Sequence, residues 1–551
     1  MSDALVGLGP VDRLRNAIAT AATTLRGEQG EPLEIEITRP PRAEFGDYST
    51  NAAMLLAPAV GKPPREVAQR LSDTLAEQLG ETLRRTEVAG PGFLNLFLAD
   101  SWFRGGLERI NEQRERFGSG VVPPDARERV LLEFVSANPT GPLTAAGGRH
   151  AAFGDTLARI LTFAGHAVER EFYVNDHGTQ VELFGRSIAA RMRGLDPPDG
   201  GYAGEYVNEL AQELGAEGVA PDEVEALARR GVELMLEQVR RTLDRYRVQM
   251  DSFFMESTLH DADHVNAALE LLQDTEDVYE SDGATWLKTT AYGDDKDRVL
   301  RRSSGDMTYF AADIAYHQNK RARGYDRLID VWGADHHGYA PRIEATFAAL
   351  GDPDRIELII MQLVHIVERG ERARMSKRKG DFVTLDELID DIGVDAARFF
   401  MLQRSHDTTI DLDLDLAREH SEKNPVYYVQ YAHARIASIL GNAGEQRTRR
   451  ALEADLSNAA TPLEPAERML VKRLLEFPGE VDEAAKRRAP HRLTTYVHEL
   501  ASDFSAFYRD CRVVGAEPDD VEDFRLRLAE ATRRTIAAAL ELLGVDAPEQ
   551  M

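Results

Sequence analysis

The stretch from Val130 to Val174 constrains this chain more than any other. Val130-Leu-Leu-Glu-Phe-Val135 is a short apolar run, Ser136 to Gly148 is a loop broken by proline and glycine, a helical pattern continues to about Phe163, and Val168 to Val174 is strand-like again. Strand, glycine turn, helix and strand in that order make a βαβ unit, which implies a parallel sheet. Ligands of such sheets bind outside the carboxyl ends of the strands, so the 136–148 loop lies where a nucleotide would sit.

The flanks differ in character. A chain of 551 residues is long enough for three or four domains of about 150 residues each. Residues 1–120 mix helical spacing (Val11 to Leu25, Val67 to Leu79) with alternating stretches (Leu33 to Thr38, Val88 to Leu98), predicting an α+β unit closed by the linker-like Gly118-Ser-Gly120 and Pro123-Pro124. Beyond the βαβ unit, Asn208 to about Met250 is charged and helical, predicting a helical insertion over about 195–290. Strand-like runs at Trp286–Thr289, Arg298–Arg302, Leu328–Trp332 and Ile356–Ile366 then predict that the sheet resumes. From about Leu416 onward helical spacing dominates. The expectation is an α/β protein with a parallel-sheet domain at 121–415, an α+β domain before it and an all-α domain at 416–551.

Composition excludes several classes. With 66 Lys plus Arg against 94 Asp plus Glu, the net charge is −28, which argues against non-specific binding to nucleic acid or anionic membranes and leaves only local basic faces for such contacts. The single cysteine, Cys511, rules out an internal disulfide or a cysteine-built zinc site. No basic-then-apolar leader opens the chain, and its most apolar run, Leu358 to Val367, holds Gln362 and His365. A cytoplasmic protein that spans no membrane is expected.

Four motifs carry chemistry. Arg374-Met-Ser-Lys-Arg-Lys-Gly380 places cations on a glycine-flanked loop, which suits either a solvated surface or closure over a triphosphate. Glu133 to Pro142 aims Glu133, Ser136 and Asn138 at the crevice, suiting an ammonium group, with a capped turn as the plainer reading. Tyr309 and Asp313 share a helical face at i, i+4 and could either clamp a planar cation or pair structurally. Trp332-Gly-Ala-Asp-His-His-Gly338 ends a strand; adjacent histidines diverge and no third ligand is suitably spaced, so a nucleotide contact is expected and a metal is not. Asp411-Leu-Asp-Leu-Asp415 lacks the glycine and terminal glutamate of a calcium loop and reads as a solvated face or helix start.

Taken in order, these segments resemble the arginyl-tRNA synthetase family over nearly the whole chain. Phe45 to Ala53 and Ala89 to Asn95 resemble its amino-terminal tRNA-contacting domain. Glu133 to Pro142, Tyr173 to Gly178, Asp313 to His317 and Trp332 to Gly338 resemble its Rossmann-like catalytic core, and Met375 to Lys377 its Met-Ser-Lys loop. Asn424-Pro-Val-Tyr-Tyr-Val-Gln-Tyr-Ala-His-Ala-Arg435 resembles the opening of its helical anticodon-binding domain. The resemblance implies an ATP-dependent arginine–tRNA ligase: arginine is activated as an adenylate with loss of pyrophosphate, then passed to the terminal ribose of its tRNA. It implies that Glu133, Ser136, Asn138, Tyr309, Asp313 and His336 hold arginine, with Asp313 and Tyr309 on the guanidinium. It also implies that Gly148, Gly333, Asp335, His337 and Met375 meet ATP, and that Lys377, flanked by Arg374, Ser376 and Arg378, steadies the triphosphate with Mg2+ accompanying it. The expected partners are tRNA(Arg), L-arginine and ATP, and the expected state is a monomer.

One motif departs from that family. Where it usually carries His-x-Gly-His, this chain has Thr144-Ala-Ala-Gly147, with His150 nearly one helical turn later. Losing preorganised donors of this kind typically costs about a hundredfold or more each, or about 3 kcal/mol. Either Thr144, His150 and the amides at Gly147 and Gly148 replace them, or the chain is a non-activating relative that binds arginine or tRNA as a sensor or scaffold. The intact lysine loop and arginine residues favour the enzyme. For tRNA, Arg447 to Arg450, Lys472-Arg473 and Lys486 to Arg488 are candidate basic faces, with Phe504, Phe507 and Tyr508 available to stack or pack.

Overall fold

The computed structural model describes residues 9–27, 35–40, 42–261, 264–273, 275–372, 383–456 and 459–551. Its central sheet has five strands, ordered Ile356–Met361, Arg327–Gly333, Arg129–Glu133, Ala167–Val174 and Ser252–Met255, and every pairing is parallel. The chain order of these strands reverses between Arg129–Glu133 and Arg327–Gly333, so the switch point of a doubly wound sheet falls there and opens a crevice above Glu133 and Gly333. The α/β expectation holds.

The helix Ala145–Ala164 crosses from the first strand to the second. Thr144 caps it by accepting the Gly147 N–H (3.1 Å), and Gly165, at φ 120°, ends it. Its fit to the sheet depends on Gly154: a Cβ there would lie 2.1 Å from Phe134 Cγ, so only glycine lets the helix approach the strand end. Arg149, fully buried, donates to the carbonyls of Gln362 (2.7 Å), Ser405 (2.8 Å) and Thr408 (2.8 Å). Those bonds join the helix to two distant loops.

Two expectations need correction. The segment 195–290 is not one helical insertion. Helices Thr179–Met192, Glu205–Ala216 and Val224–Arg245 form a bundle, but Ser252–Met255 then returns the chain to the parallel sheet. The strand-like runs near Trp286 and Arg298 do not resume that sheet; they lie in a separate antiparallel sheet with Val278–Ser281. The apolar run Ile356–Ile366 is likewise two strands. Ile356–Met361 edges the parallel sheet, whereas Val364–Glu368 pairs with Ile410–Asp413 and Glu371–Arg372. The Asp411–Asp415 stretch is a strand leading into a short helix whose cap is Asp413, accepting the Leu416 N–H at 3.1 Å.

An antiparallel four-stranded sheet packed with helices Pro10–Arg26, Ala52–Val60 and Pro64–Leu79 forms the amino-terminal unit. Helices Pro425–Ala443, Pro465–Lys486, His491–Asp510 and Asp519–Leu543 make up most of the carboxyl-terminal one. Buried ion pairs knit the units together. Lys472 reaches Asp47 (3.3 Å), and Arg398, fully buried, reaches Asp155 (2.6 Å) and the Leu543 carbonyl (2.8 Å). Among the described residues no helix is long and apolar enough to cross a membrane.

Gly154→Ala is expected to lower stability by about 1–3 kcal/mol through overpacking against Phe134, read as a fall in the midpoint of urea unfolding. An unchanged midpoint would mean that the helix can retreat from the sheet without cost.

Candidate active site

The crevice is built on the helix Tyr309–Ala322, capped by Thr308 through the Ala311 N–H. Asp313, His317 and Lys320 fall at i, i+4 and i+7 and so share the face turned to the sheet. Lys320 is fully buried and pairs with Glu133 at the end of the first strand and with Asp330 in the fourth (2.7 Å). His317 Nε2 lies 2.9 Å from Asp330 Oδ2. Burial pushes the Asp330 carboxyl up, but Lys320 and His317 outweigh it and hold it at about 2. Burial also disfavours charged Lys320, yet Asp330 and Glu133 overcome that and raise its pKa.

Behind this pair, Tyr316 Oη lies 2.8 Å from Glu133 Oε2 and 2.9 Å from Glu171 Oε1, so one phenol proton serves two carboxylates. Glu171 is gripped by Arg323 at 2.6 and 2.8 Å; burial raises its pKa, but Arg323 and Lys320 bring the net shift below the usual range. Val135 (φ 70°) and Ser136 (φ 38°) both sit in the left-handed region where the first strand leaves the sheet. For a β-branched residue that is costly, and such strain concentrates at functional sites. Ser136 stabilises the turn by donating to Glu133 Oε1 (2.8 Å) and accepting the Tyr173 N–H (3.0 Å).

Asp313 is the exception among these acids because no lysine or arginine is shown paired with it. Burial raises its pKa to about 6; the Tyr339 hydroxyl, donating to Oδ2, and His317 act in the opposite sense, and Glu256 and Glu133 add to the rise. Among the described residues, Asp313 therefore lacks a compensating positive charge. A cation entering beside Asp313 relieves both the desolvation and the repulsion.

Other anticipated residues divide. Glu133 and Ser136 lie at the crevice, but Glu133 is bonded within the fold to Lys320, Tyr316 and Ser136. Asn138 donates to Gln180 (2.8 Å). Tyr309 is 73% exposed at the start of its helix and is not brought against Asp313; Tyr339 is. Gly333 opens a turn on which Asp335, His336 and His337 are exposed, with His336 Nε2 3.5 Å from Asp335 Oδ2. His150 stands against that turn: a Cβ on Gly333 would lie 3.9 Å from its Cε1. Burial, with Arg149 adjacent, lowers its pKa to about 4, so it is neutral near pH 7 and its ring bonds to the Val331 backbone.

The expected use of the Gly147 and Gly148 amides is corrected. Gly147 N–H caps onto Thr144 Oγ1 and Gly148 N–H donates to the Thr144 carbonyl (3.1 Å), so both are committed within the helix. Gly148 instead permits close packing, since a Cβ there would lie 2.7 Å from Leu385 Cδ1. Arg374, Met375, Ser376, Lys377 and Arg378 lie outside the described residues. The chain just after them is tied to this helix start, with Ala145 N–H donating to Val383 O (2.9 Å) and Leu385 N–H to Leu143 O (2.8 Å).

The basic clusters anticipated for tRNA divide: Arg449, Arg450, Lys486 and Arg487 are exposed, whereas the other four cations are held inside the fold. Arg447 pairs with Glu522 and Asp523, Arg473 with Asp503 and Glu499, and Arg488 with Glu357, while Lys472 is buried on Asp47. Phe504 and Phe507 are core, whereas Tyr508 is 43% exposed.

A doubly wound sheet with an acidic crevice at its switch point is the architecture of a class I aminoacyl-tRNA synthetase core, and residues 205–436 match the family described as tRNA synthetases class I (R), catalytic domain. Residues 12–98 match the arginyl tRNA synthetase N terminal domain and residues 429–551 the DALR anticodon binding domain. The arginine–tRNA ligase of Kineococcus radiotolerans is 44% identical over 554 residues, covering 98% of each chain. That of Carboxydothermus hydrogenoformans is 43% identical over 534 residues, covering 95% of each. The solved arginyl-tRNA synthetase of Thermus thermophilus superposes with a TM-score of 0.77 at 27% identity, covering 98% of this chain and 100% of that one. The chain belongs to the arginyl-tRNA synthetase family.

Because Asp313 must be ionised to receive a cation, affinity for a guanidinium-bearing ligand is expected to fall about tenfold per pH unit below about 6. Reciprocally, binding at pH 6 should release protons. Calorimetry in two buffers of different ionisation enthalpy reads that release, and none would separate Asp313 from the ligand.

Proposed function

We propose that this protein is an ATP-dependent arginine–tRNA ligase. The carboxylate of arginine attacks the α-phosphate of ATP and pyrophosphate leaves; a hydroxyl of the terminal tRNA ribose then attacks the arginyl carbonyl and AMP leaves. One observation carries the reading: Asp313, without a paired lysine or arginine, projects at the sheet switch point of a chain 44% identical to an arginine–tRNA ligase over 98% of its length.

Roles follow from position. Asp313 takes the guanidinium, a planar fork that matches a carboxylate better than an ammonium does. Glu133, Ser136 and Asn138 shape the turn beside the arginine, with Glu133 acting through its Lys320 and Tyr316 bonds, and Tyr309 closes over the ligand from the helix start. Gly333, Asp335 and His337 border the adenosine, and His336 stands on the arginine side. His150, neutral and with its one N–H on the Val331 backbone, supports the Gly333 turn and brings no charge, and Thr144 keeps its hydroxyl proton for a phosphate oxygen. Met375, Ser376 and Lys377, with Arg374 and Arg378, act on the triphosphate. Mg2+ comes with the triphosphate.

We assign the labour to three units, 1–120 and 416–551 on tRNA and 121–415 on chemistry, in a cytoplasmic monomer. With four of the anticipated cations held inside the fold, the surface best suited to unstacked bases is aromatic. Tyr427 and Tyr431 stack at 6.2 Å, and Arg435 lies over the rings of Tyr431 (4.7 Å) and Tyr508 (5.5 Å). Such platforms contribute about 1–3 kcal/mol per stacked base. Tyr431→Ala is expected to weaken tRNA binding at least fivefold in a filter assay; unchanged affinity would remove this face from the interface.

Arginine-dependent ATP–pyrophosphate exchange, with and without cognate tRNA, tests the activity. Wild type should exchange, Lys377→Ala should lose about a hundredfold or more, and His150→Ala should fall well below wild type. No wild-type exchange in either condition would overturn the ligase reading, and full activity of His150→Ala would strip that imidazole of its role.

A further inference from the structure

Tyr339 is placed unlike any other phenol of the crevice. It follows the exposed Asp335–Gly338 turn and stands at the N-cap of helix Ala340–Ala349, between the adenosine side and the arginine side. Its ring is fixed by three neighbours: Trp332 at 6.2 Å, Phe310 edge-on at 6.3 Å and the Arg342 guanidinium at 4.7 Å. Its hydroxyl donates to Asp313 Oδ2. Tyr309, the phenol that the helical spacing pairs with Asp313, is exposed instead.

We infer that Tyr339 is the specificity-determining partner of Asp313: by donating to Oδ2 it orients the carboxylate, and its own oxygen remains an acceptor, so the pair presents two adjacent acceptors to one planar guanidinium. A phenol has one proton and two lone pairs, so it can donate to Asp313 and accept a guanidinium N–H at once. Two acceptors side by side match the fork of arginine, whereas an ammonium has no planar edge to span them. The inference rests on Asp313 being the guanidinium site.

The charged and titratable groups around this pair are Glu133 on the first strand, Tyr173 on the second, Glu256 beyond the third, and His317 on Asp313's own helix. Arg298 and Arg342 face the Tyr339 hydroxyl side. Of these, Tyr339 and His317 favour the anion and Glu256 and Glu133 oppose it. Removing the phenol proton donor therefore makes the carboxyl harder to ionise. The same substitution leaves the ring packing in place.

The test uses the full-length enzyme with saturating ATP and tRNA, comparing wild type, Tyr339→Phe and Asp313→Asn for arginine and lysine across pH 5.5–8. A hydrogen bond to a charged group corresponds to about a tenfold effect or somewhat more. Tyr339→Phe is expected to raise the KM for arginine about tenfold, leave kcat within about twofold, narrow the preference over lysine, and move the acid limb of kcat/KM upward by about one pH unit. Asp313→Asn should raise KM about a hundredfold and abolish that limb. If Asp313→Asn is impaired while Tyr339→Phe keeps the wild-type KM and limb, Tyr339 is only packing and the inference fails. If Asp313→Asn keeps the wild-type KM, the guanidinium site itself is misassigned.

Discussion

Lys320 lies buried between Glu133 and Asp330, and the crevice depends on it. An ammonium out of water is tolerated only while its partners stay close, and removing one partner of such a group typically costs about 3–5 kcal/mol. The three side chains come from the helix and from the two strands that border the switch point. Their attraction therefore sets the rotation and height of the Tyr309–Ala322 helix against the sheet. Asp313, two turns before Lys320 on the same face, is held in the crevice as a consequence.

That arrangement separates acids by neighbour and not by type. Asp330 and Glu171 are held ionised by Lys320 and Arg323, whereas Asp313, with no such partner shown, is pushed towards neutrality by burial and by Glu256 and Glu133. The stable pairs form the wall. The carboxylate left without such a pair carries an electrostatic deficit that a cation beside it would relieve.

The altered Thr144-Ala-Ala-Gly147 segment has a structural account of its own. Thr144 pairs with Thr384, and the neighbouring Gly148 lets the helix start lie close to Leu385, where a Cβ would be 2.7 Å from Cδ1. Arg149 then anchors the first turn through three carbonyls of distant loops. The helix start is thus positioned by packing and by a buried cation, and His150 is carried to the Gly333 turn by the same rotation.

The βαβ unit and the helical tail were legible from residue order because each rests on local periodicity or on a turn whose glycine and proline content is visible in one dimension. The four-residue strand Ser252–Met255 was not, being too short to show a period, and Ile356–Ile366 hid a break because both strands are apolar. Side-chain partnership was least visible. Glu133 reads as a ligand group until Lys320 is brought to it, Arg447 reads as part of a nucleic-acid surface until Glu522 and Asp523 of another helix neutralise it, and Tyr339 had no local signal at all. Residue order by itself determined the longer periodic elements and which family they belong to, since those follow from patterns within a few turns. Only the tertiary structure decided which charges are neutralised and which remain for a ligand, because that depends on groups far apart in the chain meeting where water is excluded.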